Sequence, residues 1–102
     1  MEMKELVEIN RKLIKGFEKQ DNKKWTVEAC VMELAAECGQ VADVIMKHEK
    51  YKQGKSELED IKDELSDVLF MLFRIADEYK IDLEKAYLEM AKRTEKKLNL
   101  KV

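Results

Sequence analysis

The chain has 102 residues, which fits a single domain, and it carries 20 basic and 22 acidic side chains for a net charge of −2. This near balance argues against nucleic-acid binding through a broad basic surface, because neutralising phosphates requires a basic excess on one face. The polar N-terminal residues and the absence of a long apolar run argue against a signal peptide and a membrane span. With no proline and only three glycines, little interrupts a helix, so residues 1–102 are predicted to form one all-α domain.

The first half of the chain predicts two helices. The first extends from about Lys4 to Lys19, where apolar residues recur at helical spacing. After a polar connection, Thr26 can cap a second helix that continues to about Tyr51. Cys30 and Cys38 lie on that helix, roughly 12 Å apart by helical rise, which is too far for a disulfide. Both are predicted to be reduced and buried, and the cytoplasm is the expected compartment.

The second half predicts two more helices. Ser56 and Glu59 match the capping-box pattern S-x-x-E, so a third helix is expected from there to about Tyr79. Asp82 can cap a fourth helix, and the residues from about Lys96 onward are expected to fray. The prediction is a four-helix bundle, and because so small a domain buries limited surface, it is a plausible oligomer.

Carboxylates occupy unusual positions on the second and third helices. Glu37 lies at the side of the apolar arc rather than behind it, with Glu33 one turn earlier and Gln40 one turn later. Glu64 lies on the apolar side of the third helix, and Asp67 follows one turn later. Side chains three or four residues apart on a helix can reach one ion, and an oxygen patch of this kind suits magnesium. The alternative is two solvated faces with ordinary ion pairs.

Two short segments resemble the signatures of a known family. Residues 34–42, LAAECGQVA, resemble the pattern E-x-G-E-L, and residues 63–69, DELSDVL, resemble the pattern E-L-x-D-V-L. Both patterns belong to the MazG-like, all-α nucleoside triphosphate pyrophosphatases. Residues 81–86, IDLEKA, are similar to the start of that family's last helix. The resemblance covers roughly residues 25–97.

The resemblance implies a ligand set. Glu37, Glu64 and Asp67 match the family's metal-ligand positions, and the metal is expected to be Mg²⁺, with Mn²⁺ as a possible substitute. Gln40 stands where the family has its second glutamate, and Ala36 stands where many members have another. A glutamine can still offer a carbonyl oxygen but brings no charge. We therefore expect weaker magnesium binding, or one ion rather than two.

The resemblance also implies an activity and an assembly. The expected reaction cleaves a nucleoside triphosphate between its α- and β-phosphates, giving a monophosphate and pyrophosphate in nucleotide-pool housekeeping. Magnesium would neutralise phosphate charge and position or activate the attacking water. The expected assembly is a homodimer or a dimer of dimers. Glu37, Glu64 and Asp67 would hold the metal, and Glu33 is a candidate base or outer partner, with a surface ion pair as its alternative.

Other residues are weaker candidates. Lys92 and Arg93 are candidate phosphate contacts, or else solvated cations near a helix end. Thr94 aligns with an asparagine of the family and can still form hydrogen bonds. His48 is the only histidine, which excludes a histidine-rich metal site, and it is expected at the surface. Phe70 lies off the main apolar arc, which suggests a subunit interface or a wall facing the base.

Three other functions require different features of the chain. Phosphoribosyl-ATP hydrolysis by a related fold is possible, but no residue favours it. A helical module that binds nucleotide or another protein without catalysis is favoured by Gln40. A di-iron bundle is rejected because it requires paired E-x-x-H motifs and the chain has one histidine.

Overall fold

A computed structural model describes residues 1–101, and these residues form four α-helices joined by short connections. The helices are α1 (Met3–Asp21), α2 (Val27–His48), α3 (Leu58–Glu78) and α4 (Leu83–Leu98). No strand occurs among the described residues. The predicted all-α, four-helix fold is thus confirmed.

The helix termini are defined by side-chain caps and by left-handed residues. The hydroxyl of Thr26 accepts a hydrogen bond from the Ala29 amide at 3.2 Å, and Asp82 accepts one from the Lys85 amide at 3.1 Å. Both predicted caps are therefore confirmed. Asn22, at the end of α1, has a φ of 50°, a left-handed conformation that asparagine tolerates better than most residues.

Three predicted boundaries were wrong. The N-cap of α3 is Glu57 rather than Ser56, and the Asp60 carboxylate accepts a hydrogen bond from the Glu57 amide at 2.8 Å. The second helix stops at His48, because Lys50 turns left-handed with a φ of 64°. The fourth helix does not fray from Lys96 but continues to Leu98.

Helices α2 and α3 form an antiparallel hairpin, which is the main packing unit of the molecule. At one end, Nδ1 of His48 lies 2.9 Å from the carbonyl oxygen of Ser56. At the other end, Arg74 donates to the carbonyl oxygen of Trp25 at 2.6 Å. His48 is the last residue of α2, at a helix end, but it is half-buried rather than exposed as predicted. The hairpin places the middle of α2 opposite the first half of α3.

Helix α1 packs on the second half of α3. Asn10 is buried, and its amide donates to the carbonyl oxygen of Phe70 at 3.2 Å. The Phe70 ring meets Phe17 edge to face, with centroids 6.0 Å apart. Phe70 thus packs within its own chain. The buried apolar side chains among residues 1–101 are few: Ile14, Cys30, Met71, Phe73 and Ala76.

Much apolar surface stays exposed around this small core. The α3 side chains Leu65, Leu69 and Leu72 are 52%, 44% and 40% exposed. Helix α4 makes few contacts with the other helices. The radius of gyration is 16.5 Å, whereas a compact domain of about 100 residues has roughly 13 Å. Along residues 1–101, no helix combines the length and hydropathy required to cross a bilayer.

Candidate metal centre

The α2–α3 hairpin brings three carboxylates together. Glu37 in the middle of α2 meets Glu64 and Asp67, which are one turn apart on α3, and one oxygen from each group lies within 4.8 Å of the others. The i, i+3 spacing of Glu64 and Asp67 puts both on the side of α3 that faces α2. The clustering of these three side chains was expected from the positions of the acids on their helices.

Two oxygens of this cluster are buried without a partner. Oε2 of Glu37 and Oε2 of Glu64 are shielded from solvent and form no hydrogen bond with the described residues. Buried polar atoms without partners are rare and costly, more so when the group is charged. Asp67, by contrast, is exposed. The cluster is thus closed on the core side and open on the Asp67 side.

The charge of the cluster is not balanced by a cation. Burial, hydrogen bonding of the protonated Glu37 carboxyl to Glu33, and the charges of Asp67, Glu33 and Glu64 together raise the pKa of Glu37 to about 7. No ion pair joins a lysine or arginine to Glu37, Glu64 or Asp67 among residues 1–101. At neutral pH the centre therefore has a strong preference for a proton or an external cation.

The donor set fits a hard divalent cation. Three carboxylates with oxygens less than 5 Å apart can approach one ion together, and all donors are oxygens, as Mg²⁺ prefers. Magnesium usually retains waters and shares substrate phosphates, and the exposed Asp67 side leaves room for both. A cation here would also supply the partner that the two buried oxygens lack.

The two other candidate site residues of α2, Gln40 and Glu33, differ in their surroundings. Gln40 is exposed one turn after Glu37. Glu33 is half-buried one turn before Glu37, and it forms no ion pair with any described residue. The surface ion pair considered for Glu33 is therefore absent. Its carboxyl group contributes instead to raising the pKa of Glu37.

The candidate substrate residues lie on α4, outside the α2–α3 hairpin that forms this centre. Lys92, Arg93 and Thr94 are exposed, on the helix with few contacts to the rest of the chain. The Thr94 hydroxyl donates to the Met90 carbonyl oxygen of its own helix at 3.0 Å. Within residues 1–101, no ion pair links Lys92 or Arg93 to the acids.

The structure contains one cleft that the sequence did not predict. An open cleft of about 780 Å³ lies between α1, the end of α3 and the start of α4, and Phe73 and Ala76 form part of its floor. No sequence pattern indicated it, because it depends on how the helices cross.

Cys30 is buried as predicted, and burial raises the pKa of its thiol. Cys38 is exposed, so its predicted burial was wrong.

Comparison with known proteins gives one match. The family model described as the MazG nucleotide pyrophosphohydrolase domain matches residues 25–99, a span that includes all three carboxylates of the centre. No curated protein and no solved structure matches the chain. Because the matched span is most of the molecule and contains the α2–α3 hairpin, the chain belongs to the MazG nucleotide pyrophosphohydrolase domain family.

Proposed function

We propose that the protein is a magnesium-dependent nucleoside triphosphate pyrophosphohydrolase that converts a ribo- or deoxyribonucleoside triphosphate to its monophosphate and pyrophosphate. The observation that carries this proposal is the convergence of Glu37, Glu64 and Asp67 with two buried, unpartnered oxygens. The family match supports the nucleotide substrate. The corresponding cellular role is removal of surplus or non-canonical nucleotides in the cytoplasm.

In the proposed reaction a water attacks the α-phosphorus, the bond between that phosphorus and the oxygen bridging to the β-phosphorus breaks, and pyrophosphate leaves with the electron pair. Glu37, Glu64 and Asp67 would hold Mg²⁺, and Gln40 could add its carbonyl oxygen. The bound ion supplies neutralisation of phosphate charge and activation of water. The open Asp67 side admits the phosphates, while the buried carboxylates keep fixed positions.

Self-association is part of the proposal. The exposed leucines of α3 and the radius of gyration of 16.5 Å support a homodimer or a dimer of dimers, because a chain this small gains stability by burying such surface. Leu69→Glu is expected to shift the molecular mass in light scattering toward the monomer. A wild-type protein that is monomeric at micromolar concentration would contradict this part.

Lys92, Arg93 and Thr94 are proposed as phosphate or nucleoside contacts. Their exposure on α4 supports accessibility. If they bind the substrate, Lys92→Ala and Arg93→Ala raise KM with a smaller change in kcat. An unchanged KM in both variants would remove these residues from the site.

A second candidate is a catalytically weak module that binds nucleotide or another protein. Gln40 favours it, since one carboxylate fewer weakens the attraction for a cation. The two candidates differ in turnover. Restoration of activity by Gln40→Glu in an otherwise inactive protein would support the module and show what it lacks.

The test is an incubation of the purified protein with Mg²⁺ or Mn²⁺ and a panel of canonical and modified triphosphates, with products separated by chromatography. We expect monophosphate and pyrophosphate in equal amounts. Glu64→Gln should abolish them. Asp63→Asn is the matched control, because Asp63 adjoins Glu64 on α3 but is exposed and outside the cluster. Equal activity of wild type and Glu64→Gln would refute the proposed site.

A further inference from the structure

The end of α2 and the connection that follows it concentrate positive charge. Residues 47–55, KHEKYKQGK, contain four lysines and one glutamate, although the whole chain has a net charge of −2. We call this segment the basic loop. Lys50 and Lys55 form no ion pair with any described residue. The basic loop thus brings uncompensated positive charge to one end of the hairpin that carries the metal centre.

Two lysines of the basic loop are held on one carboxylate. Nζ of Lys47 lies 2.8 Å from Oδ2 of Asp43, and the Lys52 ammonium donates to Oδ1 of the same group. Two positive charges therefore face one negative charge, and this lysine pair keeps a net positive charge. An ammonium group has three N–H donors, so each lysine can bind Asp43 and a further anion at the same time.

The loop backbone fixes the side chain of Lys47. Gly54 has a φ of 117°, and a Cβ atom at this position would lie 3.2 Å from Cδ and from Cε of Lys47. Glycine thus allows the backbone to pass directly over the lysine stem. Lys47 and Asp43 are both half-buried. Because the ammonium group is held in place before a ligand arrives, binding an anion there costs less ordering than at a freely solvated lysine.

The lysine pair begins on the row of α2 that carries the metal centre. Four side chains follow each other along this helix in steps of three, three and four residues: Glu37, Gln40, Asp43 and Lys47. Side chains at these spacings are neighbours on a helix surface. Asp43, which holds both lysines, lies roughly 9 Å from Glu37 by helical rise. A ligand that extends from the metal toward the basic loop therefore approaches the lysine pair.

This row faces the same side of the hairpin as the exposed Asp67. Glu37 and Glu64 meet between the two helices. Gln40 comes three residues after Glu37, and Asp67 comes three residues after Glu64. Because the helices are antiparallel, these equal rotations carry both side chains to one side of the hairpin. The open side of the metal centre and the row that leads to the lysine pair thus belong to one surface.

The charge of a bound substrate requires cations beyond the metal. The centre has three carboxylates, which outweigh the two positive charges of Mg²⁺, and a triphosphate adds further negative charge. Among residues 1–101, no lysine or arginine forms an ion pair with these carboxylates. The basic loop offers the missing positive charge at one end of the open side.

We propose that Lys47 and Lys52 bind the two phosphates that leave as pyrophosphate, so that the triphosphate extends from the metal toward the basic loop. This inference rests on the proposed function, because it requires the metal at Glu37, Glu64 and Asp67. Both ammonium groups donate to phosphate oxygens, and these charge-assisted hydrogen bonds offset the charge that grows on pyrophosphate as it departs.

The test measures binding of inorganic pyrophosphate, with Mg²⁺ present, to the full chain by isothermal titration calorimetry. Lys47→Met removes the charge but keeps an unbranched stem beside Gly54, and Lys52→Met removes the second charge. Each variant should weaken pyrophosphate binding ~10-fold or more, because each removes charged donors. Lys62→Met is the matched control, since Lys62 is an exposed lysine of α3 whose ion pair is with Glu59 at 3.3 Å. If Lys47→Met does not fold, as judged by circular dichroism, Lys52→Met carries the test.

Binding of Mn²⁺ alone, followed by electron paramagnetic resonance, separates the lysine pair from the metal centre. Lys47→Met and Lys52→Met should bind Mn²⁺ like wild type, whereas a damaged fold would weaken Mn²⁺ binding as well. The inference is overturned if both variants bind pyrophosphate within ~2-fold of wild type, if Lys62→Met weakens binding equally, or if the wild type binds no pyrophosphate.

Two further outcomes distinguish this inference from the proposed function. Loss of pyrophosphate binding in Glu64→Gln, together with normal binding in both lysine variants, would refute only the role of the lysine pair. Normal Mn²⁺ binding in both Glu37→Gln and Glu64→Gln would refute the proposed metal centre itself.

Discussion

Replacing Glu37 with glutamine should stabilise the metal-free protein at alkaline pH. The Glu37 carboxyl is half-buried beside other acids, which raises its pKa from an ordinary 4.5 to about 7. The folded state therefore holds a proton more tightly than the unfolded chain. Between these two pH values unfolding releases the proton, so the free energy of unfolding falls as pH rises. Above pH 7 the folded state is destabilised by the full cost of the Glu37 charge. Glutamine removes the charge and keeps the shape.

The magnitude follows from the pKa values. At about 1.4 kcal/mol per pKa unit, a rise from 4.5 to about 7 corresponds to ~3 kcal/mol at pH 8. Solvent screens part of this in a half-buried group, so we expect ~1–2 kcal/mol. In a domain of this size that is roughly 4–16 °C in thermal midpoint. The difference between variant and wild type should vanish near pH 4, where Glu37 is neutral in both folded and unfolded states.

The assay is urea denaturation of wild type and Glu37→Gln at pH 4 to 8, with a chelator present and one fixed protein concentration, because association also affects stability. Asp63→Asn should change the free energy of unfolding by under ~0.5 kcal/mol. Added Mg²⁺ should stabilise the wild type and leave Glu37→Gln nearly unchanged. If Glu37→Gln is less stable than wild type at pH 8, or if the difference does not vary with pH, the reasoning about this carboxyl is refuted.

Three further predictions concern the scaffold. Asp77→Asn should lower the free energy of unfolding at pH 7 by ~0.5–1 kcal/mol in denaturant titrations, because it removes the ion pair with Arg11 at 2.6 Å. Since the Arg11 guanidinium holds the pKa of Asp77 below its usual value, the difference in this free energy between wild type and variant should become smaller as pH falls below about 4. A difference that grows in acid would contradict the prediction. Exposed Cys38 should react with a thiol reagent in the folded protein, whereas buried Cys30 should react only after unfolding; equal rates in the native state would be inconsistent with the described burial. Met71→Ala should lower the free energy of unfolding by ~2–4 kcal/mol, because Met71 is only 3% exposed, and a loss under ~1 kcal/mol would place it outside the core.

The helices and the acid cluster could be predicted because local patterns encode them. Apolar periodicity located all four helices, and the caps Thr26 and Asp82 were identified by residue type and position. Glu37 and Glu64 stood out because each lies beside or within the apolar side of its helix, whereas an acid is expected on the polar side. The spacing of Asp67 from Glu64 then placed a third carboxylate beside them.

The remaining features depend on geometry that the sequence does not encode locally. Ser56 matches a capping motif, but the chain enters α3 one residue later, and the Ser56 carbonyl instead meets His48. Cys38 is exposed because α2 is covered by α3 along one side. The loose packing of α4 follows from how helices meet, which periodicity alone cannot determine.

The central claim is tested most directly by hydrolysis of a triphosphate in ¹⁸O-labelled water with Mg²⁺, followed by mass spectrometry of both products. Attack at the α-phosphorus predicts one ¹⁸O in the monophosphate and none in the pyrophosphate, and Glu64→Gln should abolish both products while Asp63→Asn retains them. Label in the pyrophosphate, formation of diphosphate and orthophosphate, or undiminished turnover by Glu64→Gln would contradict the account.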